Sequence, residues 1–163
     1  MNNPVLKKHI LGIDPGIGSV GYAYITSEKN ILTCLSYGCI KTPARTQCAE
    51  RLFSIYTELK KLLSERKPDV MAVEKIFFVK NVTTGIDVSH ARGVILLTAR
   101  MFGIPILEYT PLQVKQAVTG YGKAEKQQVQ KMTQTILRLK EKPRPDDAAD
   151  ALAVAICASQ TIL

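Results

Sequence analysis

Ile10-Leu11-Gly12-Ile13-Asp14-Pro15-Gly16 is an apolar run closed by Asp-Pro-Gly, the pattern of a buried strand that ends in a turn. Outward from it, residues 20–25 and 31–40 alternate well enough to form two further strands, with Glu28-Lys29-Asn30 as their hairpin turn. Leu52, Ile55, Tyr56, Leu59, Leu62 and Leu63 recur at helical spacing, so residues 48–66 read as an amphipathic helix. Pro68 stops the chain before Val70-Met71-Ala72-Val73, a continuous apolar run of buried-strand type that ends at Glu74. Residues 75–84 read as a loop, 86–101 as a long helix and 104–107 as another buried strand.

Pro111 opens a short helix to residue 118, and Gly120-Tyr121-Gly122 breaks it. Val129, Met132, Ile136 and Leu139 give the next helix one apolar stripe. Gln127, Gln128, Gln130, Lys131 and Gln134 form its other, solvated face. Residues 146–158 make a last helix that is apolar on nearly every side. The order βββαβαβααα predicts an α/β fold. Its mixed five-stranded sheet has three antiparallel hairpin strands plus two parallel ones, flanked by helices on both faces. The length of 163 residues fits one domain, 1–163.

Composition narrows the function. Hydrophobic residues make up 46% and charged residues 22%, enough for a real core and unlike a disordered tail. No apolar run approaches the roughly 18–20 residues that span a bilayer, and the lysines near the start lead straight into a strand, not into a signal peptide. Cys34, Cys39, Cys48 and Cys157 show no CxxC and no zinc-finger spacing. They read as reduced thiols of a cytoplasmic protein, without a structural zinc site. His9 and His90 stand alone in sequence and read as structural or solvated. The net charge of +8 suggests a polyanionic partner. Between Lys115 and Arg144 eight basic residues face only two acids, Glu125 and Glu141.

The acids instead fall beside apolar sequence. Asp14 and Glu74 each close a strand; if those strands are parallel neighbours, both sit where open α/β sheets bind ligands. Asp14 alone fits a turn former equally well. Glu74 must reach water, a partner or a metal. Asp146 and Asp147 suit a helix start, but Asp150 lies too deep in the apolar helix for that explanation. A cluster of Asp14, Glu74, Asp147 and Asp150 would need counter-charge to stay ionised. Hard divalent cations, Mg²⁺ or Mn²⁺, supply it through all-oxygen ligands, and two of them can drive phosphodiester hydrolysis.

Gly12-Ile13-Asp14-Pro15-Gly16 with Gly21-Tyr22, then Val73-Glu74-Lys75-Ile76-Phe77, then Asp147-Ala148-Ala149-Asp150-Ala151-Leu152-Ala153, resemble the RuvC family of Holliday junction resolvases. Val114-Lys115-Gln116 and Gly122-Lys123-Ala124-Glu125-Lys126 are similar to it as well, and the likeness runs in order from Ile10 to Ala158. It implies an RNase H-like fold, a homodimer, two Mg²⁺ ions per site with Mn²⁺ able to substitute, and paired nicks across a four-way DNA junction. It further implies a branch-migration motor of the RuvA and RuvB type as partner, and no membrane. By motif, the catalytic and metal-binding acids are Asp14, Glu74, Asp147 and Asp150. Asp146 falls outside the pattern. Lys75, Phe77, Phe78, Lys80, Lys115, Lys123 and Lys126 are the expected DNA contacts, with Phe77 or Phe78 as a stacking surface. Lys75 replaces a glutamine common among relatives. Residues 86–101 are the candidate dimer helix, although burial against the sheet would use the same faces.

Three other classes share parts of this pattern. A nuclease for another nucleic acid would use the same carboxylates. Actin-like kinases also end their first strand in Asp-x-Gly but need a second domain to clamp nucleotide. A non-catalytic junction-binding module predicts missing acids, and all four are present.

Overall fold

The computed structural model describes residues 7–77 and 82–162. Strands β1 (Lys8–Asp14), β2 (Ser19–Glu28) and β3 (Ile31–Lys41) form an antiparallel meander. Lys29 and Asn30, at φ 49° and 63°, make the two-residue hairpin turn whose twist matches its strands. Helix α1 (Cys48–Glu65) then crosses to β4 (Val70–Glu74), and α2 (Val82–Met101) crosses to β5 (Ile106–Tyr109). Both later strands pair in parallel, giving the order β3-β2-β1-β4-β5. Helices α3 (Pro111–Thr119), α4 (Lys126–Ile136) and α5 (Asp146–Ser159) complete the chain.

The expected α/β class and mixed sheet with helices on both faces are present, with shifted boundaries. The strand expected at 104–107 begins later. Gly103 turns the chain at φ 62°, and Ile104 packs in the core before β5 meets β4 at Met71↔Ile106. Helix α2 starts at Val82, inside the expected loop. Leu139 lies beyond the end of α4, and Gln130, expected in solvent, is only 3% exposed. The buried side of α4 is therefore Val129, Gln130 and Thr133.

Two cores flank the sheet. One face carries Leu11, Ile13, Tyr24, Met71 and Val73 against α1 and α2 through Ile55, Leu59, Leu63, Ile95 and Ala99. The other packs Ile10, Ala23, Ile25 and Ala72 against α5, with Val114, Val118 and Val129 beyond it. Helix α5 is thus buried on almost every side, which explains its apolar circumference.

That helix lies unusually close to the strands. A Cβ added at Gly12 would stand 2.2 Å from the Ala151 carbonyl oxygen and 2.8 Å from the Ala155 Cβ. One at Gly21, which pairs with Asp14 across the ladder, would stand 1.9 Å from the Asp147 carbonyl oxygen. Backbone meets backbone at both points, so neither clash can be relieved by turning a side chain.

Gly21→Ala should therefore displace α5, costing about 1–3 kcal/mol or more, as overpacking does. Chemical denaturation measures that cost. Gly18→Ala, where an added Cβ meets nothing within 4 Å, is the matched control. Equal stability of the two variants would show that α5 does not rest on Gly21.

Candidate active site

Strands β1 and β4 run side by side in parallel, with Ile13 opposite Val73. The next residue on each is an acid, so Asp14 and Glu74 are neighbours at the C-terminal ends of two central strands. Helix α5 lays its N-terminal half across the same end, pinned by the contact between Gly21 and the Asp147 backbone. Asp150 follows one turn later, and both α5 acids act electrostatically on Asp14. All four expected acids therefore meet at one place.

The environment of Asp14, Glu74 and Asp150 opposes ionisation. The Asp14 carboxyl is pushed up from 3.8 to about 8, first by burial and then by Glu74, Asp150 and Asp147. Glu74 is pushed up from 4.5 to about 7 by burial and by Asp150, with Lys115 and Lys126 opposing. Burial also raises Asp150, against the pull of Lys126.

Lys126 is the cation that answers this cluster. Its Nζ lies 3.0 Å from Asp150 Oδ2 and 3.3 Å from Asp146 Oδ2. Burial disfavours the ammonium, but the two carboxylates outweigh burial and raise its pKa overall. The Gln130 side-chain amide donates to Asp146 Oδ1 at 2.9 Å, and this bond with Lys126 holds the Asp146 carboxyl below its ordinary value. Asp146 and Gln130 are thus parts of the site that the sequence reading left out. Gln130 lies one turn after Lys126 and Asp146 one turn before Asp150. Which helix face meets which is decided only by the packing of α4 on α5.

The remaining expected residues surround this centre. Local bonds fix where α3 and α4 begin. The Gln113 Oε1 accepts from the Thr110 N–H at 2.8 Å while Thr110 Oγ1 accepts from the Gln113 N–H at 3.1 Å. The Gln128 Oε1 accepts from the Glu125 N–H at 2.8 Å, just before Lys126. Lys115 and Lys126 line a cleft of about 210 Å³ together with Glu74, Val114, Val129 and Asp150. Lys123 is exposed in the turn between these helices, outside the cleft. Lys75 is exposed next to Glu74, and its backbone N–H bonds the Tyr109 carbonyl at 2.7 Å. Phe77 is 58% exposed, so it is not a core residue. Phe78 and Lys80 lie outside the described residues.

A carboxyl whose pKa rises on folding holds a proton that the unfolded chain has lost. For Asp14 that window runs from about 4 to about 8, and for Glu74 from about 4.5 to about 7. Without divalent cation, stability should fall as pH rises through this range. Asp14→Asn should remove much of the slope. Thermal melts in EDTA between pH 4.5 and 8.5 measure it, and a flat or rising profile would contradict the burial of these acids.

Comparison with known proteins shows the family. The family model for crossover junction endodeoxyribonuclease RuvC matches residues 10–158. A crossover junction endodeoxyribonuclease RuvC of Syntrophomonas wolfei is 60% identical over 148 residues, 91% of this chain and 86% of that protein. The structure of T. thermophilus RuvC in complex with Holliday junction substrate superposes with a TM-score of 0.88 at 35% identity, covering 94% of each chain. The yeast mitochondrial Holliday junction resolvase Ydc2 shares the fold at a TM-score of 0.66 and 14% identity, over 98% of this chain and 82% of that one. With a family model that spans residues 10–158 and a relative 60% identical over 91% of its length, the chain belongs to the RuvC family of crossover junction endodeoxyribonucleases.

Proposed function

We propose that this chain resolves four-way DNA junctions by metal-dependent hydrolysis of phosphodiester bonds, acting as one RNase H-like nuclease domain. The observation that carries the proposal is the meeting of Asp14, Glu74, Asp147 and Asp150 at the ends of β1 and β4 under α5. The donor set fits hard divalent cations. It is all oxygen, it is half-buried, and a lysine ammonium already leans on Asp150. In this reading the four carboxylates hold two Mg²⁺ ions, with Mn²⁺ able to replace them. Such a pair supplies the positive charge that activates water and takes up charge on the leaving oxygen.

The chain's own residues do the rest. Lys115 and Lys126 lie beside the acids and meet the scissile phosphate, offsetting charge that the carboxylates would otherwise repel. With cation in the cluster Lys126 would be free to turn from Asp150 to phosphate, and Asp146 with Gln130 keeps its ammonium within reach. Lys75 and Lys123 contact backbone phosphates at the rim. Phe77, exposed three residues past Glu74, offers a ring against which a splayed base can stack.

Paired nicks require two such sites. Leu97 and Met101 are 62% and 63% exposed and lie one turn apart on α2, in line with exposed Ile86. This apolar stripe is the face on which we place the homodimer. The same reading includes a partner of the RuvA and RuvB type and a place in the cytoplasm. No described helix is long and apolar enough to cross a membrane.

Two outcomes are expected. Asp14→Asn and Asp150→Asn should each lower junction cleavage by at least about 10²–10³-fold, the loss typical of one preorganised electrostatic group, while junction binding by gel shift is kept. Cleavage near the unaltered rate in either variant would refute the catalytic assignment. Leu97→Glu combined with Met101→Glu should give a monomer by sedimentation that binds junctions weakly and no longer nicks in pairs. A persistent dimer would move the interface off α2.

A further inference from the structure

Cys48 is the first residue of α1, and Asp87 and His90 stand one turn apart in α2. The Cys48 Sγ lies 4.0 Å from the His90 Nδ1, and these two atoms and an Asp87 carboxylate oxygen all lie within 4.8 Å of one another. None of the three takes part in the nuclease centre: α1 and α2 cover one face of the sheet and α5 the other. We propose that Cys48, Asp87 and His90 bind one zinc-type divalent cation per chain, stapling the start of α1 to α2. His90, isolated in sequence, thus has ligand neighbours in the fold. The expectation of no structural zinc site rested on spacing within the sequence, and spacing cannot detect ligands that two packed helices bring together.

The chemistry selects the ion. A thiolate and an imidazole favour a borderline cation over Mg²⁺, whereas the all-oxygen cluster favours the reverse, so the chain sorts two kinds of metal onto two faces. Zinc bonds of about 2.3 Å to sulfur and about 2.0 Å to nitrogen at the tetrahedral angle put those two atoms about 3.5 Å apart. The observed 4.0 Å needs only a small side-chain adjustment. The 4.0 Å contact is long for a hydrogen bond, so the ion replaces little that is already made. On binding, the Cys48 thiol releases its proton to solvent. Three protein ligands leave a fourth position for water.

Co²⁺ is the spectroscopic probe, titrated into the full, metal-stripped chain with Zn²⁺ as competitor. The expected result is a near-ultraviolet thiolate-to-cobalt band at one equivalent, bleached by Zn²⁺, with d–d intensity of a tetrahedral site. Cys48→Ser should abolish the band, and Asp87→Asn and His90→Ala should each weaken binding more than tenfold. Zn²⁺ should raise the melting temperature of the unaltered chain but not of Cys48→Ser, whose melt in EDTA should match the unaltered protein. An absent band, a band surviving Cys48→Ser, or affinity indifferent to both Asp87→Asn and His90→Ala would overturn the proposal. A folded, cation-free Cys48→Ser chain should still nick junctions, which separates this site from the nuclease centre.

Discussion

The fold and the site both depend on how closely α5 approaches the sheet. Two glycines, Gly12 on β1 and Gly21 on β2, leave no side chain between the strands and the helix backbone. The facing surface of α5 is almost entirely alanine, so the helix descends where a larger residue would hold it off. A methyl group at either glycine would occupy space that a carbonyl oxygen already fills. Asp147 contributes that carbonyl at Gly21 and its own side chain to the acid cluster. The same contact thus packs the core and sets the distance between the α5 acids and the strand-end acids.

This placement carries an electrostatic cost. Four half-buried acids share one end of the sheet, and two of them are pushed up to about 8 and about 7. A protein selected for stability alone would fill such a place with apolar residues. Lys126 relieves part of the repulsion, held by Asp150 on one side and by Asp146 with Gln130 on the other. The lysine is exposed enough to leave, which a buried arginine pair would not permit. Stability is given up where the four acids meet.

Much of this was legible in the sequence because the decisive signals are local. Glu74 ends an apolar run and Asp150 interrupts an apolar helix, so both stand out without a structure, whereas Asp14 alone fits a turn former equally well and needs its neighbours to be recognised. Topology then follows from the parallel crossovers, since a strand–helix–strand unit brings successive strand ends to one edge. What stayed hidden depends on which helix faces meet. Gln130 looked like one of several solvated glutamines, yet it is buried and its amide donates a hydrogen bond to Asp146 on α5. The start of β5 moved because Gly103 turns the chain and Ile104 goes into the core, a tertiary choice that an apolar run does not reveal. Cys48 and His90 are far apart in sequence, and only the packing of α1 on α2 makes them neighbours.

The central claim is that α5, seated on Gly12 and Gly21, completes a cation site with the ends of β1 and β4. Crystals of the chain grown with Mn²⁺, with data collected at the manganese absorption edge, test this directly. The account predicts two anomalous peaks among the carboxylates of Asp14, Glu74, Asp147 and Asp150, with the Lys126 ammonium displaced from Asp150. Peaks elsewhere, or a cluster that stays free of manganese with Lys126 still on Asp150, would contradict it.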